Sequence, residues 1–328
     1  MKLPRNFKNN FSLKNNNSLK LDYKSDFYSE CNNLEDLGQI YDFLNKNKTN
    51  IWVIGEGTNL VIKNDLKGLV VKNNLKGFKV NKNFVNAGAG ENWDSFVSRT
   101  LKLNLYGLEN LSGIPGSVGA APIQNIGAYG AEVSDFISYV EVTNIKNGCT
   151  EIFSNEESKF IYRGSIYKNN PHLIVTNVCF CLSNEFKPNT HYESLSGQFI
   201  SAEEIRKRVL HLRSEKLLDY LETPNVGSFF QNPIVEKKLF NDLLIEYPDL
   251  KYYQLNSELY KIPAAWLIEK AGWKGTSNGD AGISDKHALI FYNHSIKVND
   301  ILTHSSEVVK SISDKFKIKL HYEPTFIS

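Results

Sequence analysis

The sequence predicts an α+β protein made of two units. Three observations carry that expectation. Short strand patterns and amphipathic helical patterns follow one another along the chain without an internal repeat. At 328 residues the chain is longer than one core comfortably serves. A polar stretch near residues 183–200 interrupts the pattern and reads as a junction. The expected division is an N-terminal arm over 1–20, a first domain over 21–184, a linker loop over 185–200 and a second domain over 201–328.

The elements follow in order. The opening MKLPRNFKNNFSLKNNNSLK is polar and reads as an arm rather than a core element. In NLEDLGQIYDFLNKN, Leu34, Leu37, Ile40, Tyr41 and Leu44 share one helical face. NIWVIG and LVIKN are strands flanking the loop GEGTN, and KGLVVKN and FKVNKNFVNAGAG hold further short strands. ENWDSFVSRTLKL gathers Trp93, Phe96, Val97 and Leu101 on a second helix. ISYVEVTNIKNGCTEIFS is a hairpin turned at Asn147-Gly148, and LIVTNVCFCLS is a buried strand. Beyond residue 200, SAEEIRKRVLHLRSEK opens with Ser201 and Glu204 at capping-box spacing and aligns Ile205, Val209 and Leu212. KLFNDLLIEY and IPAAWLIEKAGW are helices, the second with Pro263 in its first turn and Gly272 at its end. HALIFYN is a strand and DILTHSSEVVKSISDKF a helix. KIKLHYEPTF is a last strand, with Ile318, Leu320 and Tyr322 on one face and Lys319, His321 and Glu323 on the other.

Composition narrows the function classes. The formal charge is +2, and no basic cluster interleaves with aromatics, which argues against a nucleic-acid partner. Cys31, Cys149, Cys179 and Cys181 show neither a CxxC pair nor histidine at metal spacing, so they read as reduced core thiols and no metal is expected. No stretch is apolar over the roughly 18 residues that a membrane span needs, and the N-terminus lacks the apolar centre of a signal peptide. A cytoplasmic monomer with no membrane partner is expected.

Two glycine-rich stretches carry the functional signal. Gly55-Glu56-Gly57 follows a strand, as half of a dinucleotide fingerprint would. The third glycine is missing at Leu60, and a strand stands where the helix should begin. No Gly-Lys-Ser/Thr closes either stretch, so a P-loop is excluded as well. What remains is a loop whose bare amides, with Thr58 and Asn59, could form an anion-binding nest, or else a plain turn between strands. The second stretch, residues 110–130, holds no charged side chain. Its glycines allow close backbone approach, and Pro115 and Pro122 stiffen it. Ile114, Ile123 and Ile126 are suited to flank a flat ring system, although tight turns alone would also use such glycines. Together the two stretches point to a large nucleotide-containing ligand.

GEGTNL, GAGENW, GLENLSGIPGSVGAAPIQNIGAYG, YRGSIYK, GSFFQNP and HYEPTFI occur in this order. From about residue 20 onward the chain resembles the UDP-N-acetylenolpyruvoylglucosamine reductase family of bacterial peptidoglycan-precursor enzymes. The spacer with HYESL is similar to the family's longer form, which carries an extra tyrosine loop. The resemblance implies an FAD-binding domain of the vanillyl-alcohol-oxidase (PCMH) type and a C-terminal α+β substrate-binding domain. Non-covalent FAD would be held by Gly55, Gly57, Thr58, Asn59, Ile114, Gly119, Ala120, Ile123 and Ile126. Neither loop carries a histidine or cysteine that could tether it.

The implied reaction reduces UDP-N-acetylglucosamine enolpyruvate to UDP-N-acetylmuramate with NADPH as reductant. Arg163 would polarise the substrate carboxylate, Ser228 would protonate the enolate carbon, and Glu323 would assist the enolate. Tyr129, Tyr162, Tyr192, Lys216, Asn232 and His287 are implied substrate-binding residues. His287 stands where relatives often have glutamine, Gln231 where many have lysine, and LLDYLETPN replaces a proline-rich run. A carbohydrate or alcohol oxidase on the same flavin fold would not need the Arg163, Ser228 and Glu323 set, and a non-catalytic UDP-sugar module would not preserve it.

Overall fold

The computed structural model describes residues 6–328, and the first five residues of the expected arm lie outside the described residues. The chain divides into two units, each assembled from discontinuous segments. One holds the chain up to Phe11 with Lys24–Gly57 and Leu66–Arg213; the other holds Ser12–Tyr23, Thr58–Asp65 and Ser214–Ser328.

In the first unit a four-stranded sheet runs in the order β1 (Phe7–Ser12), β2 (Lys24–Cys31), β5 (Leu66–Asn73), β3 (Asn50–Ile54). The intervening β4 (Leu60–Ile62) belongs to the second unit. Both β2 and β3 run parallel to β5, so a crossover must join them, and α1 (Leu34–Asn47) supplies it. The Asn33 side chain starts α1 by accepting the Asp36 amide at 2.9 Å. A five-stranded antiparallel sheet follows in the order β11 (Cys149–Ser154), β10 (Ile137–Asn144), β12 (Leu173–Cys181), β7 (Phe84–Gly88), β6 (Phe78–Asn81). On it α2 (Trp93–Lys102) buries Trp93 and Phe96, whose rings meet Phe180 at 6.0 and 4.8 Å. β8 (Gly127–Ala128) and β9 (Ala131–Glu132) form a hairpin across Tyr129 and Gly130, both at positive φ as such a turn requires. α3 (Ile166–Asn169) precedes β12.

Most of α4 (Ala202–Lys216) belongs to the first unit, where Ile205, Val209 and Leu212 pack with Leu195, Phe186 and Phe199 of the preceding loop. The division between units therefore falls after Arg213, inside α4, rather than in the 185–200 loop. That loop buries Leu195 and packs Phe186 and Phe199 against α4.

The second unit has a sheet in the order β13 (Asn225–Ser228), β19 (Ile290–Asn293), β18 (Ala281–Ile283), β17 (Ser277–Asn278). A smaller one runs β14 (Ile234–Glu236), β16 (Leu259–Lys261), β15 (Tyr253–Gln254). β20 (Thr325–Ile327) pairs in parallel with β4. α5 (Lys237–Glu246) and α6 (Ala264–Lys270) precede α7 (Asn299–Phe316), which packs on β17, β18 and β19 through a face that includes Ile301, Val308 and Ile312.

Several expectations are corrected. The described part of the arm is no arm: Phe7–Ser12 is a sheet strand, and Leu13, Leu19 and Leu21 are buried in the second unit. The Asn17 side-chain amide ties the carbonyls of Leu13 and Leu21, and the Asp22 amide bonds the Ile296 carbonyl, a partner too remote to read locally. Leu34, the first residue of α1, is 68% exposed and lies off the buried stripe of Leu37, Ile40, Phe43 and Leu44. The last strand is broken: Tyr322 bridges Phe230, but Pro324 has no N–H to continue a ladder, and pairing passes to β4. Cys149 and Cys181 are exposed, at strand ends; Cys31 and Cys179 are core thiols, and burial, then the Asp36 charge, pushes Cys31 up to about 12.

Candidate functional site

The two glycine-rich stretches meet in the first unit. A Cβ on Gly55 would come within 2.6 Å of Ser117 Oγ, and one on Gly119 within 2.5 Å of the Ala89 Cβ. The Asn92 amide also bonds Glu56 Oε1 at 2.9 Å. These two glycines therefore answer first to the protein's own packing, with ligand approach a further use. The glycines at positive φ do a different job: Gly57 (69°), Gly113 (70°) and Gly116 (126°) turn the backbone where a side chain would be strained.

Asp94 anchors the long stretch. Its carboxylate accepts the Gly113 amide at 2.6 Å and a fork from Arg206 at 2.6 and 2.7 Å, while Arg213 Nε bonds the Gly113 carbonyl at 3.0 Å. Burial raises the Asp94 carboxyl, but the Arg206 hydrogen bonds, the Gly113 amide and the charges of Arg206 and Arg213 outweigh it and hold it below the carboxylate range. Ile114, Ile123 and Ile126 are half-exposed and backed by the buried core, and Ala120 is likewise half-exposed. A backbone-lined loop beside a firm apolar shelf fits an FAD held without a covalent bond. Among the described residues no group of three or more His, Cys, Asp or Glu is placed to hold a metal.

Arg163 sits at the tip of a two-residue turn closed by Ile161 and Gly164, with φ at 54°. Its guanidinium donates to the Gly127 carbonyl at 3.0 Å and the Asn125 carbonyl at 3.3 Å, and lies 3.9 Å from Glu132. The Tyr162 ring is 4.9 Å from it. Arg163 is thus held against the strand that follows Ile126. Tyr129 and Tyr192 meet edge to face at 5.5 Å, because Asn110 bonds the carbonyls of both Tyr129 and Asn189 at 2.8 and 2.9 Å. Burial pushes the Tyr129 phenol up, against the charges of Arg213 and Arg208.

The second unit gathers Ser228, Glu323 and His287 around the backbone of one residue, Phe229. The Phe229 amide donates to the Leu289 carbonyl at 2.9 Å, and the Phe229 carbonyl accepts the Glu323 amide at 3.0 Å. Ser228, next in the chain, is the register partner of Ile290. The β18–β19 turn with His287, the end of β13 with Ser228 and the segment with Glu323 therefore lie side by side. Lys216 and Lys274 are close enough to act on His287, whose protonation burial opposes first, then these two charges. Asn59 also joins this unit: its carbonyl accepts the Thr325 amide at 3.0 Å, and its side chain reaches the Glu323 carbonyl at 3.5 Å. Thr58 is in this unit too, so the chain crosses from one unit to the other inside GEGTN. Asn232 Oδ1 is committed to the Ala264 amide at the start of α6, 2.9 Å away. Arg163 belongs to the first unit, and Ser228 and Glu323 to the second.

Sequence reasoning missed Asp94, Arg206, Arg213, Asn110 and Lys274. Each reads as an ordinary surface polar residue, and only long-range contacts reveal its task.

Comparison with known proteins shows the family and the fold. Residues 25–153 match a family profile described as an FAD binding domain, and residues 219–327 one described as UDP-N-acetylenolpyruvoylglucosamine reductase, C-terminal domain. A UDP-N-acetylenolpyruvoylglucosamine reductase of Flavobacterium johnsoniae is 36% identical over 334 residues, covering 97% of this chain and 98% of that protein. One from Bacteroides fragilis is 37% identical over 84% of this chain and 86% of its own length. The crystal structure of the Thermus caldophilus reductase shares the fold, with a TM-score of 0.68 at 24% identity over 97% of this chain and 98% of that one.

Proposed function

The chain belongs to the UDP-N-acetylenolpyruvoylglucosamine reductase family, and from that premise we propose which of its residues perform the reaction. The protein is an FAD-dependent oxidoreductase that reduces UDP-N-acetylglucosamine enolpyruvate to UDP-N-acetylmuramate in peptidoglycan-precursor synthesis, with NADPH as reductant. Bound flavin supplies a two-electron carrier between NADPH and C3 of the enolpyruvyl group.

The residues of this chain must then hold the substrate carboxylate, stabilise the negative charge that develops beside it, and deliver a proton to C2. Arg163 is assigned the carboxylate, because its planar guanidinium suits two oxygens and is itself held in place by the carbonyls of Asn125 and Gly127. Ser228 is assigned the proton to C2. A hydroxyl is a weak acid, so this works only on a strongly basic carbon held at contact distance. Glu323 is assigned to the developing enolate, where it serves as a hydrogen-bond donor when protonated. Tyr129, Tyr162, Tyr192, Lys216, Asn232 and His287 are assigned to substrate binding, and Gly55, Gly57, Thr58, Asn59, Ile114, Gly119, Ala120, Ile123 and Ile126 to FAD. The proposal extends to a cytoplasmic monomer without nucleic-acid or membrane partner; no helix among the described residues is long and apolar enough to cross a membrane.

The observation that carries the assignment is the Phe229 backbone, whose carbonyl is bonded toward Glu323 and whose N–H is bonded toward the His287 turn, with Ser228 beside it. Rapid mixing of the two half-reactions tests it. Ser228→Ala should bind FAD and be bleached by NADPH at a near-normal rate, while reoxidation by the enolpyruvyl substrate slows by orders of magnitude. Equal slowing of both steps would assign Ser228 to structure instead.

A further inference from the structure

His287 lies in the turn between β18 and β19. Its Nδ1 accepts the Leu289 amide at 3.2 Å, two residues on, and its carbonyl accepts the Ile290 amide at 3.0 Å. An acceptor Nδ1 exists only in the neutral ring, with the proton on Nε2. The brace extends directly to the reacting end of β13. Leu289, whose amide the ring holds, gives its carbonyl to the Phe229 amide at 2.9 Å, and Ile290 is the register partner of Ser228. One side chain thus fixes the edge against which Ser228 is aligned.

The surroundings favour the neutral ring. Burial comes first, then Lys216 at the end of α4 and Lys274 beyond α6, all of which hold His287 below its ordinary value. Glu269 of α6 opposes them, but its carboxylate is bonded to Lys274 at 2.6 Å. On the turn itself, Asp285 and Lys286 are both exposed. We infer that His287 is a positioning residue for Ser228: the neutral ring braces the β18–β19 turn against the strand end that carries Ser228, and its protonation releases that brace. The step is one proton from solvent onto Nδ1, which turns the acceptor into a donor facing the Leu289 N–H and breaks their hydrogen bond. This rests on the role given to Ser228 above.

The test compares three substitutions in the FAD-loaded protein. His287→Asn keeps a side-chain acceptor for the amide two residues on, as Asx turns do, and does not titrate. His287→Gln keeps a donor of similar reach but not that local acceptor geometry. His287→Ala keeps neither. In the wild-type protein, reoxidation by the enolpyruvyl substrate should slow at acid pH with a midpoint below about 6.5, the ordinary histidine value, because burial and the two lysines hold His287 lower. That limb should be absent in His287→Asn. At pH 8 the Asn variant should exceed the Ala variant at least tenfold in this step, with Gln close to Ala. A Gln variant that outperforms Asn would show that His287 acts only by donating to the ligand and not through its turn, and would overturn the inference. So would an acid limb that persists in His287→Asn.

Amide exchange gives a readout that needs no variant. After correction for intrinsic pH dependence, protection of Leu289 and Phe229 should fall as pH drops toward 5; unchanged protection would overturn the inference. If the wild-type protein is bleached by NADPH but never reoxidised by the enolpyruvyl substrate, the reading of Ser228 fails, and this inference with it. If reoxidation is normal and Asn equals Ala, only the inference about His287 fails.

Discussion

Asp94→Ala should loosen the long glycine-rich stretch at its anchored end. The wild-type carboxylate receives three hydrogen bonds of 2.6 to 2.7 Å, two from Arg206 and one from the Gly113 amide. The Arg206 side chain is only 11% exposed, so truncation leaves a poorly solvated cation and an amide without its acceptor. Breaking a buried pair costs about 3–5 kcal/mol. Asp94 itself is 34% exposed, so water recovers part of this, and about 3 kcal/mol is expected. Removing both partners should cost clearly less than the sum of the single substitutions, because no orphan charge remains. Urea denaturation of the four proteins in the cycle measures this, and FAD affinity of the folded variants should fall in the same order. The pH dependence has a definite sign. A carboxyl lowered in the folded state stabilises above its unfolded pKa of about 3.9, and that contribution is lost as pH falls through the folded value. The gap between wild type and Asp94→Ala should therefore be constant above about pH 5 and close below pH 4. A loss under about 0.5 kcal/mol at pH 7, or strict additivity in the cycle, would refute the reasoning.

Gly119→Ala should destabilise the FAD-free protein by about 1–3 kcal/mol, because its Cβ would meet the Ala89 backbone at 2.9 and 3.0 Å; an effect seen only in FAD binding would show that the glycine serves the ligand alone. Glu323→Gln, which keeps a hydrogen-bond donor, should retain more reoxidation activity than Glu323→Ala, while both are bleached by NADPH like the wild type. Full turnover in Glu323→Ala would return this residue to the surface.

What the sequence determined by itself was local. The 3.6-residue stripe of Trp93, Phe96, Val97 and Leu101 requires a buried helix face, and all four residues are buried. The absent third glycine and absent helix after GEGTN exclude a Rossmann-type dinucleotide fold, because both belong to one short segment. The shared motifs point to a flavin reductase family, and the family relation is shown. Tertiary structure decided everything that depends on remote backbone. Asp94 and Arg206 look like solvent residues until α2 and α4 pair them across 112 positions. The polar N-terminus becomes a strand beside β2 and a clasp of buried leucines, whose far end is held by the distant Ile296 carbonyl. His287 reads as a possible ligand contact, yet one ring nitrogen is already committed to its own turn. Hydrophobic period and glycine spacing are encoded within a few residues. Partners of buried charges are set by chain closure over tens to hundreds of residues, and no local pattern records them.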